Sequence, residues 1–140
     1  MTRRVLILDL KDDPELIAAY EAHHEPGAVP EAIVRSIRAN GIETMEIHRC
    51  GNRLVMLIET AAGFDSRAKA AAEAADPAAI AWEEVMDRYQ QRLPWAPPGA
   101  KWMEAARIFA LSEQSGIGRS AGSPSTDSIH DAAARTEGQG

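Results

Sequence analysis

The stretch IETMEIHRCGNRLVMLI, residues 42–58, changes its hydrophobic period halfway along, and that change decides the fold. From Ile42 to Arg49 apolar and polar residues alternate, with Met45 and Ile47 on one side and Thr44, Glu46 and His48 on the other. This is the pattern of a strand with one covered face. Cys50-Gly51-Asn52 makes a short turn, and Leu54 to Ile58 is then continuously apolar, as in a strand covered on both faces. Together they predict a hairpin.

Upstream of the hairpin, Asn40-Gly41 stops a helix that starts at Pro30 and carries Ile33, Val34 and Ile37. Before it, Asp12 or Asp13 caps a helix opened by Pro14, with Leu16, Ile17, Tyr20 and His24 at helical spacing and Pro26-Gly27 as its interruption. Arg3 to Leu10 is a first strand, apolar without a break from Val5 to Leu8. Downstream, Asp65–Ala75 and Pro77–Arg92 read as helices, Leu93–Gly99 as a Pro-rich loop, and Trp102–Leu111 as the last strand. The order β-α-β-β-α-β is the split βαβ, ferredoxin-like arrangement of an α+β protein. Its first and third strands are central, and these are the two that read apolar on both faces. Helices cover one face of such a sheet. A second copy of the chain is expected on the other, giving a homodimer shaped as a dimeric α+β barrel.

Composition sets the boundaries of this unit. The chain has 140 residues, and Ser112 to Gly140 holds six Ser, five Gly and four Ala with Ile117 and Ile129 as its large apolar residues. Such a segment buries too little to offset its ordering entropy, so residues 1–111 are the expected domain and 112–140 a disordered tail. The net charge of −6 argues against binding to nucleic acid, which selects a basic face. No apolar run near the start is long enough for a membrane span or an export signal, so a cytoplasmic protein away from membranes is expected. The single cysteine, Cys50, excludes an intramolecular disulfide, and no H-x-x-x-H or comparable metal spacing occurs. Phosphate-cradling Gly-rich loops and a G-x-S-x-G nucleophile motif are likewise lacking.

The residues left for chemistry are few. Tyr20 and His24 lie four apart on one helix and share a face. An imidazole suits proton transfer at neutral pH, and a phenol one turn away suits orienting a ligand or relaying a proton; the same spacing also serves a core or a helix cap. His23 points about 100° away, toward solvent. His48 stands with Thr44 and Glu46 on the non-core side of its strand, a polar row that fits a pocket or plain exposure. Trp82, Trp95 and Trp102 are many for a chain with 5% aromatic residues, and tryptophan faces stack on the C–H surfaces of sugar rings. Trp82 sits among helix-core residues, whereas Trp95 lies in a stiff loop able to wall a pocket.

Tyr20-Glu-Ala-His-His24, Pro30-Glu31, Gly41-Ile42, the hairpin MEIHRCGNRLVMLIE of residues 45–59, Trp82 four before Met86, and the closing strand resemble the L-rhamnose mutarotase family. The hairpin and the segment LPWAPPGAKW, residues 93–102, are most similar to its L-fucose mutarotase branch. The resemblance spans residues 3–111. It implies a dimeric ferredoxin-like barrel that interconverts the α and β anomers of a 6-deoxy-L-hexose without a cofactor. It places the family's acid/base histidine on His24, its tyrosine on Tyr20 and the first of its paired sugar-contacting tryptophans on Trp82. His48 falls where a tyrosine is common, Glu83 replaces the second tryptophan, and Val29 replaces a tryptophan before Pro-Glu. Trp95 or Trp102 is then a source of the missing aromatic wall. A competing expectation is a non-catalytic ligand-binding or regulatory dimer of the same shape, and a third is an oxygenase.

Overall fold

The computed structural model describes residues 1–115 of the chain. Its elements run β1 (Thr2–Leu10), α1 (Pro14–His23), α2 (Glu31–Ala39), β2 (Ile42–Cys50), β3 (Arg53–Thr60), α3 (Ser66–Ala74), α4 (Pro77–Asp87), β4 (Gln90–Gln91) and β5 (Met103–Ala105). Contacts divide it into two compact units, Met1–Ala106 and a second that begins at Arg107. In the second, a single 3₁₀ turn spans Leu111–Glu113 and Arg107 pairs with Glu113. The expectation of a tail falls for its greater part on residues 116–140, outside the described residues.

The sheet order is β2-β3-β1-β4, with β5 also pairing β1, and every pairing is antiparallel. β1 and β3 are therefore central, as their uninterrupted apolar runs predict. The hairpin register sets Ile47 opposite Met56 and His48 opposite Val55, so Met45 and Ile47 share one face while Thr44, Glu46 and His48 share the other. Its two-residue turn needs a positive φ at its first central position, and Gly51 supplies one of 60°. Gly41 has a φ of 89°, a conformation that L side chains rarely adopt, so the stop before β2 needs glycine; the Phe64 ring, 3.4 Å from where a Cβ would lie, leaves only ordinary contact there.

The helices lie on the face carrying Leu8, Leu10, Leu54 and Ile58, all buried. Leu10, Tyr20, Leu54 and Met86 form the centre of the core, with Ile17, Ile47, Trp82, Val85, Tyr89 and Trp102 packed around them. α1 begins where expected because Asp13 accepts from the backbone N–H groups of Glu15 (2.9 Å) and Leu16 (3.2 Å), with Pro14 in the first turn. Asp65 and Asp76 cap α3 and α4 in the same way. On the opposite face Val5, Ile7, Val55 and Leu57 remain half-buried. None of the helices among the described residues is long and apolar enough to cross a membrane.

Two boundaries differ from the sequence reading. The last helix ends at Asp87 rather than Arg92, because Gln90 and Gln91 leave it to pair with Leu10 and Asp9 at the end of β1. The closing strand is Met103–Ala105 rather than Trp102–Leu111. β1 offers it Val5 to Ile7 as partners, and continuing that register would set Arg107 opposite Arg3, two like charges facing each other.

Candidate active site

α1 ends at His23, which leaves the carbonyls of its last turn short of backbone donors. The His24 ring meets one of them: its Nδ1 lies 2.7 Å from the Tyr20 carbonyl oxygen. A carbonyl can only accept, so Nδ1 carries the hydrogen, and in the neutral ring Nε2 is left with its lone pair. Burial lowers the pKa of His24 below the usual imidazole value; the bond to Tyr20 opposes this and the neighbouring His23 adds to it. His24 is therefore neutral at pH 7, a base with a fixed tautomer.

Around this ring the chain assembles an aromatic cluster. The Tyr20 ring centroid is 4.3 Å from that of His24, and the Trp82 ring meets His24 edge-on at 5.7 Å. Tyr20 itself is 3% exposed. Burial holds its phenol above the ordinary tyrosine range, a side-chain hydrogen bond with Gln90 pulls it down, and the charge of Glu83 pushes it up. Tyr20 and His24 line a cleft of about 430 Å³ between α1 and the β2–β3 hairpin, completed by Ile47, His48, Arg49 and Leu54. Arg49 pairs with Glu21 of α1 and donates to the Gly51 carbonyl at 2.8 Å, tying the two walls together.

Three of the residues singled out in the sequence thus meet. Tyr20, His24 and Trp82 are neighbours; His48 borders the cleft, but the register turns its side chain to the helix-free face, where it is exposed with Nε2 3.0 Å from Glu46 Oε1. Trp95 stands apart. It is 60% exposed and lies over the Arg53 guanidinium, 5.5 Å from the ring centroid, and Arg53 pairs with Asp9 on the helix-free face.

Sequence reasoning also missed a second pair. His23 is half-buried rather than solvated, with Nε2 3.2 Å from the Tyr89 hydroxyl and its ring 6.4 Å from that of Trp82. No spacing signals this contact, because the partners lie 66 residues apart. Glu83, which stands at the place of the family's second tryptophan, is exposed and accepts from Lys101 at 2.6 Å, as does Asp87, which anchors the Pro-rich loop onto α4. Burial works against the charge on Lys101, but the two carboxylates prevail and raise its pKa. Among the described residues no three His, Cys, Asp or Glu side chains converge as metal ligands.

A buried tyrosine and a tautomer-fixed neutral histidine line one cleft, with a tryptophan ring against the histidine, a set of groups of the class whose chemistry suits proton transfer with a small polar ligand. The sequence profile described as L-rhamnose mutarotase matches residues 3–111. An L-fucose mutarotase of Xanthomonas campestris pv. campestris is 50% identical over 113 residues, 81% of this chain and 90% of that protein. The crystal structure of L-rhamnose mutarotase FA22100 from Formosa agariphila superposes with a TM-score of 0.58 at 14% identity, over 79% of this chain and 99% of that one. The chain belongs to the L-rhamnose mutarotase family and is a carbohydrate isomerase.

Proposed function

We propose that the protein interconverts the α and β anomers of a 6-deoxy-L-hexose, L-fucose in preference to L-rhamnose, by acid/base ring opening at the Tyr20–His24 pair. The observation that carries this reading is the 2.7 Å bond from His24 Nδ1 to the Tyr20 carbonyl, which leaves Nε2 free to accept a proton. Anomer exchange requires that the C1 hydroxyl lose a proton while the ring oxygen gains one. The C1–O5 bond then breaks to give the open aldehyde, C1 rotates, and the reverse steps close the ring on either face. Neutral His24 takes the first proton, and the Tyr20 hydroxyl beside it or the His48 imidazole from the neighbouring strand serves the other oxygen. The Trp82 ring offers its apolar surface to the C–H side of the sugar. The 50% identity to an L-fucose mutarotase supports the choice of L-fucose.

Saturation-transfer NMR with L-fucose and L-rhamnose at equal concentration tests the substrate. Faster exchange of L-fucose is expected, and exchange of L-rhamnose alone would overturn the preference. The pH profile tests the base. Because burial lowers the His24 pKa, activity should persist below pH 6.5 and then fall as Nε2 becomes protonated; a flat profile through that fall would contradict a titrating imidazole. The same shift lowers stability on acidification. The unfolded chain, with its histidine near 6.5, binds more protons than the native state between that value and the lower native one.

The proposal includes a homodimer closed over the helix-free face, where Val5, Ile7, Val55 and Leu57 stay half-buried in a single chain. Sedimentation should report the mass of two chains, and a persistent single-chain mass at micromolar concentration would contradict it.

A further inference from the structure

The hairpin register leaves one charge in an unexpected place. Arg49 stands opposite Leu54 and follows Met45 and Ile47 on the side of β2 that faces the helices. A guanidinium on that side needs partners, because burying a charge without them is costly. It finds the Glu21 carboxylate on α1 and, at 2.8 Å, the Gly51 carbonyl. The two side chains are 38% and 52% exposed, and an ion pair so open to water adds little to stability. What the pair does have is a position in the cleft that Tyr20 and His24 line. Glu21 precedes His24 by three residues on α1, so their Cβ atoms lie about 5–6 Å apart, close to the width of a pyranose ring. Beyond Tyr20 and His24, the polar side chains turned to the cleft are Glu21 and Arg49, since His48 points to the opposite face. Ile47 and Leu54 are its apolar part.

Resting on the mutarotase reading above, we propose that Glu21 and Arg49 are the specificity-determining residues of this cleft. They hold two neighbouring ring hydroxyls of the sugar while C1 and the ring oxygen lie at Tyr20 and His24. Arginine has five N–H donors and no acceptor, and a carboxylate only accepts. Arg49 gives Nε–H to Glu21 and one Nη1–H to Gly51. Among the described residues nothing else accepts from it, so its other N–H groups are available to a hydroxyl oxygen. Glu21 meets Arg49 through Oε1, and its Oε2 can take the O–H of the adjacent hydroxyl. The two side chains hold each other in place before the sugar arrives, which reduces the ordering cost of binding. Charge selects the class of ligand. A lone guanidinium favours a phosphate or carboxylate, whereas one matched by Glu21 adds no net charge and suits a neutral polyol. A 6-deoxyhexose also offers a methyl group to Ile47 and Leu54. L-Fucose and L-rhamnose differ in the orientation of the hydroxyls at C2 and C4, so a fixed donor beside a fixed acceptor can tell them apart.

Arg49→Met and Glu21→Met keep the side-chain stems and remove the polar ends. Each is expected to lower kcat/KM for L-fucose exchange about 10- to 100-fold, the scale of a hydrogen bond to a charged group, with the loss falling on KM. A role confined to tying α1 to the hairpin would weaken every sugar alike. The 2-, 3- and 4-deoxy forms of L-fucose separate the two. Wild-type protein should lose a similar factor on the form that lacks the hydroxyl held by Arg49, and Arg49→Met should lose nothing further on that form. An Arg49→Met protein that discriminates all three deoxy sugars from L-fucose as strongly as wild type would overturn the assignment, and the proposed function would stand. Binding of L-fucose, followed by NMR titration of the backbone amides, needs no turnover. A wild-type protein that binds L-fucose without exchanging it, and loses that binding in Arg49→Met, would refute the function proposed above and support this subsite. No binding by the folded wild-type protein would overturn both.

Discussion

Replacing His24 with alanine is expected to cut the catalysed rate of anomer exchange by about 10²- to 10⁴-fold, the usual contribution of a positioned acid or base. The fold should survive. His24 is half-buried at the C-terminal cap of α1, outside the Leu10–Tyr20–Leu54–Met86 centre, and the bond it gives up is one to a helix-end carbonyl. Water reaches such a carbonyl once the ring is gone, so the expected stability loss is about 1 kcal/mol. Circular dichroism and a thermal melt alongside the exchange assay separate the two effects. Exchange at a near-wild-type rate in a folded His24→Ala protein would remove the histidine from the mechanism.

The second large effect is on stability. Leu10 is 0% exposed and packs with Tyr20, Leu54 and Met86 at the point where β1 meets β4. Leu10→Ala removes most of a buried side chain and leaves a cavity, a loss of about 2–5 kcal/mol. For a domain of this size that lowers Tm by roughly 10–20 °C. The lost wall also supports Tyr20, so activity should fall faster than the fraction folded when both are followed with temperature. A melting temperature within a few degrees of wild type would show that the core closes over the gap.

The hairpin was legible because a strand's period is two. One face of β2 is covered, and the alternation through Met45, Ile47 and His48 records it. The starts of α1, α3 and α4 were legible because aspartate followed by a helix-compatible residue is a local chemical signal, and Asp13, Asp65 and Asp76 all make the bonds it implies. The fourth strand position was not legible in the same way. Gln90-Gln91 has no apolar pattern, and what makes it a strand is the free end of β1 at Asp9 and Leu10, a partner 80 residues earlier in the chain.

The site divides along the same line. Tyr20 and His24 share a helix face, and the i,i+4 spacing brings them together. It did not reveal that the ring would bond the Tyr20 backbone carbonyl, because that depends on where α1 stops. Tyr89 and His23 come together only when α4 ends early and the chain turns back along β1. Trp95 looked able to wall a pocket because its loop is stiff, but stiffness does not set direction, and Lys101 anchors that loop's end to Glu83 and Asp87 while Trp95 rests on Arg53.

The central claim is that this cleft catalyses anomer exchange, and polarimetry of freshly dissolved crystalline α-L-fucose tests it most directly. With a catalytic amount of protein at neutral pH, the rotation should reach its equilibrium value many times faster than in buffer alone, at a rate proportional to protein concentration. An approach to equilibrium no faster than the buffer control, with protein shown to be folded, would contradict the account.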